Sequence, residues 1–141
     1  MTKKEALPTE TLRVGDEVKV YVVKVEETGK GPKVFVSRTN VGIVKRLFEN
    51  EVPEIKQGIV EIKAVSREAG QRSKIAIYSS DPQIDAVGAC VGNKGARVNA
   101  IVAELGGEKI DIIPSSISIN SLTLEVISII SKFLLVLILI E

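Results

Sequence analysis

The residues of this chain that are best suited to chemistry lie in one short bend, Gly92-Asn93-Lys94-Gly95, which Arg97 follows closely. Glycines let the backbone approach a bulky anion, and the first amides of a helix after the bend point toward it. Lys94 and Arg97 add mobile positive charge. The combination predicts a phosphate-binding loop. The alternative is a plain turn in a helical hairpin, where the glycines only end one helix and connect it to the next.

Helices are predicted on both sides of the bend, because apolar residues there recur with helical spacing. After the bend, the apolar positions follow the pattern i, i+3, i+4 and i+7, and before it they mark a shorter helix. These residues are Val98, Ile101, Val102 and Leu105 after the bend, and Ile84, Val87 and Val91 before it. The bend therefore connects two helices and leaves the start of the second one open to a ligand.

Composition limits the kinds of function that the chain could have. It has 141 residues and a net charge of only +1, so no overall field attracts it to polyanions. Binding to such a partner must depend on local patches, and basic residues cluster within 63–74 and 94–97. The length is enough for one ordinary domain or two small ones.

Several catalytic arrangements are excluded by residue type. The chain contains no histidine and one cysteine, so it has no Cys-His or Ser-His nucleophilic pair and lacks the commonest zinc ligand. Lys94 is followed by glycine, whereas a nucleotide-binding P-loop needs serine or threonine there. The carboxylates are scattered along the chain. We therefore expect no enzyme, cofactor or metal site, and Cys90 is interpreted as a buried apolar residue.

Two hairpins and a capped helix are predicted around these elements. Residues 16–38 form the first hairpin, with Val18, Val20 and Val22 on a buried face, after a frayed segment 1–11. Asn40 caps a helix that Pro53 ends. Residues 59–65 and 74–78 form the second hairpin, and 109–113 form a last strand. The helix buries Ile43, Val44, Leu47 and Phe48.

The order of elements over 41–113 is helix, strand, strand, helix, GxxG, helix, strand, and it resembles a type II KH domain, an α+β fold. Several segments are similar to the first KH domain of the NusA family of bacterial transcription termination/antitermination factors. They are Lys45-Arg46-Leu47-Phe48-Glu49, Glu51-Val52-Pro53-Glu54-Ile55, Arg67-Glu68-Ala69-Gly70, Arg72-Ser73-Lys74-Ile75-Ala76, Val87-Gly88-Ala89-Cys90-Val91-Gly92 and Gly107-Glu108-Lys109-Ile110-Asp111-Ile112.

The resemblance implies binding of single-stranded nascent RNA, with about four nucleotides held at the GxxG loop. Gly92 and Gly95 would let the backbone approach, while Asn93 and Lys94 would face the phosphates. Arg97 would add a second cation, and the apolar side chains of Val87 and Val91 would support the bases. The function implied is regulation of transcription elongation, pausing, termination and antitermination.

The segment before residue 41 resembles the end of an S1 domain, which is an OB-type barrel. The similar stretches are Val14-Gly15-Asp16, Val18-Lys19-Val20-Tyr21-Val22 and Gly31-Pro32-Lys33-Val34-Phe35-Val36-Ser37-Arg38-Thr39. Residues 1–40 are therefore expected to be a partial S1 segment before the KH domain of 41–113. The polymerase-binding domain of the family has no counterpart here, so the RNA polymerase elongation complex is a partner by resemblance alone.

Residues 114–141 form an atypical hydrophobic tail that lacks both the charge pattern and the resemblance. Its apolar run, 133–140, is shorter than the ~20 residues of a membrane helix. Extending the run includes Lys132, which costs roughly 2.5–3.5 kcal/mol inside a membrane. We expect no membrane partner and, since the positive charge of residues 1–8 is not followed by the apolar core of a secretory signal, a cytoplasmic location. The alternative is a truncated or frame-shifted fragment with a membrane-associated tail and no regulatory activity.

Overall fold

The structure, a computed structural model, describes residues 1–115. Their order confirms the predicted α+β fold, in which a hairpin precedes a KH-like set of helices and strands. The strands are β1 Tyr21–Thr28, β2 Gly31–Ser37, β3 Val60–Glu68, β4 Arg72–Ser79 and β5 Lys109–Pro114. The helices are α1 Val41–Glu51, α2 Pro53–Lys56, α3 Ala86–Val91 and α4 Ala96–Glu104, and two 3-10 turns lie at Lys3–Glu5 and Asn93–Gly95.

The strands form two separate sheets. Strands β1 and β2 pair antiparallel as a two-stranded hairpin, and the other sheet has three strands in the order β3-β4-β5. Strand β4 is antiparallel to β3 and parallel to β5. A parallel pair needs a crossover connection, and α3 and α4 provide it. The glycine bend therefore lies within this crossover, between its two helices.

Helix α1 begins and buries its apolar face as the sequence predicts. The Asn40 side chain accepts a hydrogen bond from the Gly42 amide at 2.8 Å, which satisfies one of the free donors at the start of the helix. Its predicted core residues are all buried: Ile43, Val44, Leu47 and Phe48. Pro53 follows the end of α1, but it also begins the short helix α2, which the sequence interpretation missed.

The first hairpin forms within the predicted residues 16–38, but β1 begins only at Tyr21. Val18, Val20 and Val22 are 37%, 39% and 49% exposed, so the predicted buried face is wrong. Alternation shows which side chains share a face, but burial also needs another element to cover that face. Within residues 1–115, Tyr21 is the residue of β1 and β2 that packs against the main core. The predicted domain boundary at residue 40 stays a prediction.

The N-terminal segment is docked, so the prediction of a frayed end over 1–11 is wrong. Leu7 is 2% exposed. The Arg38 amide donates to the Glu5 carbonyl at 2.7 Å, and the Arg38 guanidinium donates to both carboxylate oxygens of Glu10 at 2.9 Å. A buried leucine and a charge-assisted pair hold this segment in place.

Arg38 also connects the hairpin to the end of the crossover. Its Nη2 donates to the Glu104 carbonyl at 2.8 Å, and its Nη1 donates to the Lys19 carbonyl at 2.5 Å. The last carbonyls of a helix lack partners within it, so a cation placed there satisfies one of them and favours the helix dipole. Arg38 therefore fixes the C-terminal end of α4 against the residues that precede β1.

The predicted hydrophobic tail falls outside the described residues, except for its first two positions. Pro114 ends β5, and the Ser115 amide donates to the Ile77 carbonyl at 2.7 Å. None of the helices in residues 1–115 combines the length and the apolar character that crossing a bilayer requires.

Candidate nucleic-acid interface

The backbone of the bend adopts conformations that favour glycine at both ends. Gly92 has φ 76° and ψ 176°, and Gly95 has φ 76° and ψ 12°. Between them Lys94 has φ 51° and ψ 30°, which is left-handed and costs a residue with a Cβ atom roughly 1–2 kcal/mol. These dihedral angles favour glycine even without a ligand, so the predicted close approach of the backbone to an anion stays a prediction. The left-handed lysine had no signal in the sequence.

The central residues, rather than the glycines, present free amides. The Gly92 amide donates to the Gly88 carbonyl at 2.9 Å, and the Gly95 amide donates to the Gly92 carbonyl at 3.1 Å. The amides of Asn93 and Lys94 have no hydrogen-bond acceptor within residues 1–115. Two adjacent donors are therefore available to an anion at the tip of the loop.

Positive charge is concentrated at the same tip. The side chains of Asn93 and Lys94 are exposed, and among the described residues neither forms a hydrogen bond or an ion pair. Helix α4 begins immediately after Gly95 and has no acidic residue in its first turn. The positive end of its dipole adds to the charge of the lysine. The tip is thus able to bind a phosphate with two amides and one ammonium group.

Arg97 lies behind the loop. Its Nη1 donates to the Ala89 carbonyl at 2.7 Å and to Glu54 Oε2 at 3.1 Å. The methylenes of Arg97 occupy the space beside Gly92, where an added Cβ would lie 2.7 Å from its Cγ. Sequence reasoning missed Glu54, because it lies 43 residues from Arg97 and on the helix that was not predicted.

Val87 and Val91 lie on α3, which contacts β5. Both valines are partly exposed, and Val87 also packs against the core. Cys90, on the same helix, is fully buried, and burial raises the pKa of its thiol to about 11. Cys90 is therefore a buried core residue, as the sequence predicts. The valines have surface left for a ligand, and their contact with bases remains a prediction.

Strand β5 lies at one edge of the three-stranded sheet, as far as the described residues extend. Ile110 and Ile112 pack partly against the core, and Ile113 is 48% exposed. Because α3 packs on β5, the loop, the helix and the strand form a continuous surface. An extended ligand held at the loop would meet the side chains of α3 and β5 next.

Most of the second predicted basic cluster, 63–74, is paired with carboxylates, although Lys74 is exposed and has no ion pair among the described residues. Lys63 pairs with Glu61 at 2.5 Å, and Arg72 lies 3.5 Å from Asp111. Arg67 is buried against Glu108. Three of its four cations are paired in this way, whereas the glycine loop combines an unpaired lysine with two free amides, so the loop is the better candidate for anion binding.

Other kinds of site have less support. Residues 1–115 contain no group of three or more histidine, cysteine or acidic side chains that could hold a metal. A surface cavity of about 350 Å³ lies between α1, α2 and β3, and another of about 320 Å³ lies beside β1. Both lie apart from the glycine loop. Their linings include Ile55, Val60 and Ile62 in the first and Val20, Tyr21 and Ile43 in the second.

Comparison with known proteins shows the family to which this chain belongs. Residues 38–115 match the family model described as a NusA-like first KH domain. The transcription termination/antitermination protein NusA of Bacillus subtilis is 60% identical over 109 residues, which cover 77% of this chain and 29% of that protein. The same-named protein of Thermus thermophilus is 50% identical over 113 residues, which cover 80% of this chain and 29% of that protein.

A third relative gives the same result. The protein of that name from Halalkalibacterium halodurans is 58% identical over 109 residues, which cover 77% of this chain and 28% of the relative. The chain therefore spans less than a third of the length of these curated relatives. The resemblance inferred from the quoted segments is confirmed.

Proposed function

Because the chain belongs to the family with a NusA-like first KH domain, we propose that it binds single-stranded RNA through the glycine loop. The observation that carries the proposal is the pair of free amides at Asn93 and Lys94, next to the unpaired Lys94 ammonium. Together they would hold one or two phosphates of the RNA backbone. The strand would then pass along Val87 and Val91 toward β5.

The chemistry of the site favours modest and weakly sequence-selective binding. Phosphate contacts fix the register of a nucleic acid but do not read its bases. A KH loop holds about four nucleotides, so the protein neutralises few phosphates. The affinity should therefore decrease only gradually as the salt concentration rises. The protein has five Phe and Tyr residues, and none lies on the loop, α3 or α4. Bases would therefore rest on aliphatic side chains.

The biological role proposed is regulation of transcription through nascent RNA. The relatives are named transcription termination/antitermination proteins. A domain that holds RNA as it leaves a polymerase would influence pausing, termination and antitermination. This role would place the chain in the cytoplasm, with the RNA polymerase elongation complex as a partner. This regulatory role needs only RNA binding, so we propose no enzymatic activity.

The direct experiment replaces both loop residues in the 141-residue chain. Asn93→Asp with Lys94→Asp places two carboxylates where phosphate would lie, and we expect at least a roughly tenfold loss of affinity for a short single-stranded RNA, measured by fluorescence anisotropy. The matched control carries Asn50→Asp with Lys30→Asp, at exposed positions near the end of α1 and in the turn between β1 and β2. Unchanged affinity in the loop variant, or an equal loss in the control, would overturn the proposal.

A further inference from the structure

We propose that Arg97 is a positioning residue that braces the glycine loop from behind and does not contact phosphate itself. The inference rests on the proposed RNA-binding function, and it changes the role that sequence reasoning assigns to Arg97. Lys94 then becomes the cation of the loop that meets RNA. The proposal depends on three contacts of Arg97 with different parts of the site.

The first contact joins Arg97 to the end of the preceding helix. The last carbonyls of α3 need partners outside the helix, and Arg97 Nη1 donates to the Ala89 carbonyl at 2.7 Å. A cation is favourable at the C-terminal end of a helix. Arg97 itself belongs to the first turn of α4. One side chain therefore links both helices across the loop.

The second contact lies between the stem of Arg97 and the first glycine. A Cβ atom at Gly92 would lie 2.7 Å from Arg97 Cγ, 3.0 Å from its Cβ and 3.1 Å from its Cδ. The stem therefore packs on the bare backbone of Gly92. This contact accounts for the absence of a side chain at Gly92 in addition to its positive φ.

The third contact neutralises the guanidinium. Glu54 Oε2 lies 3.1 Å from Arg97 Nη1, and the side chains of Glu54 and Arg97 are 28% and 33% exposed. Helix α2 has Glu54 in its first turn, where a carboxylate is favourable. The Arg97 charge is thus paired within the protein, whereas the ammonium of Lys94 has no partner in the described part of the chain.

Arginine and lysine differ in a way that separates a brace from a phosphate ligand. Arginine has a planar fork of donors, whereas lysine is a single charged point. If Arg97 bound phosphate, Arg97→Lys would keep more of the affinity than Arg97→Met, because lysine retains the charge. If it braces the loop, Arg97→Lys and Arg97→Met should both weaken RNA binding by roughly tenfold, because each loses the fixed bond to the Ala89 carbonyl.

The salt dependence of binding gives the discriminating measurement. Each phosphate contact with a single strand adds about 0.7 to the slope of log affinity against log salt concentration. We expect Lys94→Met to reduce the magnitude of the slope by about 0.7 and Arg97→Met to leave it unchanged. A reduction of about 0.7 in Arg97→Met would overturn the inference and leave RNA binding by the loop intact. If both the Arg97 variants and the Asn93 and Lys94 variant bind RNA as well as the unchanged chain, the proposed function itself is wrong.

All Arg97 and Lys94 variants are measured at a temperature where circular dichroism shows them folded, so that a loss of affinity does not reflect general unfolding.

A further measurement needs no RNA. Amide spectra of the free chain should show displaced Gly92 and Gly95 signals in Arg97→Met and Arg97→Lys, and unmoved Gly92 signals in Lys94→Met. If the glycine signals of the Arg97 variants coincide with those of the unchanged chain, the inference is wrong.

Discussion

Arg67 and Glu108 form an ion pair with two hydrogen bonds and almost no contact with solvent. Arg67 Nε lies 2.9 Å from Glu108 Oε1 and Nη2 lies 2.9 Å from Oε2, and the side chains are 1% and 0% exposed. The Ser73 hydroxyl and the Gly70 amide donate to the same carboxylate at 2.5 Å and 2.9 Å. The pair therefore fixes the start of β5 against β3 and the β3–β4 turn.

Loss of the Glu108 charge should strongly destabilise the fold. Glu108→Gln leaves the Arg67 guanidinium buried without a counter-charge, and breaking a buried pair in this way costs about 3–5 kcal/mol. Urea denaturation at neutral pH measures the free energy of unfolding. The control is Asp111→Asn, whose partner Arg72 is exposed and whose loss should cost less than about 1 kcal/mol. Equal effects of the two substitutions would contradict the assigned role of Glu108.

The same carboxylate predicts the direction of acid sensitivity. Burial raises the pKa of Glu108, but hydrogen bonds from Arg67, Ser73 and Gly70 and the Arg67 charge outweigh it and lower the pKa overall. A lowered pKa contributes stability above the unfolded value of about 4.3, and that contribution is lost as the pH falls. Unfolding free energies at pH 7 and pH 4 should therefore differ more in the unchanged chain than in Glu108→Gln. An equal pH dependence in both would exclude this contribution.

The fold was predictable where local patterns decide it. Helix α1 has a clear helical period and a capping residue, so its ends and buried face could be predicted. The docking of Leu7 and the pairing of Arg67 with Glu108 depend on residues far apart in sequence, for which no local pattern exists. The valines of β1 show the same limit, because alternation does not show what covers a strand.

Lys94→Gly should separate stability from binding. Glycine removes the cost of the left-handed backbone at Lys94, roughly 1–2 kcal/mol, and loses part of that gain through its greater freedom in the unfolded chain. We expect the unfolding free energy to stay equal or to rise by up to about 1 kcal/mol, while RNA affinity falls. The control is Lys45→Gly, at an exposed position within α1, which should cost about 1 kcal/mol. A similar loss of stability in Lys94→Gly would contradict the backbone argument.

The site was partly predictable, for the same physical reason as the fold. The spacing of Gly92 and Gly95 and the apolar face after them indicated a loop at a helix start, since these features are local. The partner of Arg97 could not be predicted, because α2 brings Glu54 to it from a distant part of the chain. Local spacing assigns the two loop cations equal roles, whereas Arg97 is paired and Lys94 has no partner within residues 1–115.

Cys90 should make stability fall at alkaline pH. Burial raises the pKa of its thiol to about 11, while a thiol in the unfolded chain ionises from about 8.5. Because the pKa is higher in the folded state, the thiol's contribution to stability is fully present below the pKa of the unfolded chain. That contribution is lost as the pH rises toward the pKa of the folded chain. We expect a loss of about 2 kcal/mol between pH 8 and pH 10, from roughly 1.36 kcal/mol per pH unit.

The comparison for Cys90 is the Cys90→Ala variant, whose other titrating groups are the same. Urea denaturation of both proteins from pH 7 to pH 10 gives the free energy of unfolding at each pH. The difference between the two pH dependences is caused by ionisation of the thiol. The cavity left by alanine lowers the stability of the variant at every pH, so only the slopes are compared. Parallel slopes would show that the thiol is not protected by burial.

Leu7→Ala should test whether the N-terminal segment is part of the folded domain. Leu7 is 2% exposed and lies close to Gly106, so removing its side chain should cost about 2–5 kcal/mol. Val14→Ala is the control, because Val14 is fully exposed and its truncation should change the free energy of unfolding by less than about 0.5 kcal/mol. Both values come from urea denaturation. If Leu7→Ala is as mild as its control, residues 1–11 are frayed in solution, and the contacts of Arg38 with Glu5 and Glu10 do not hold the segment.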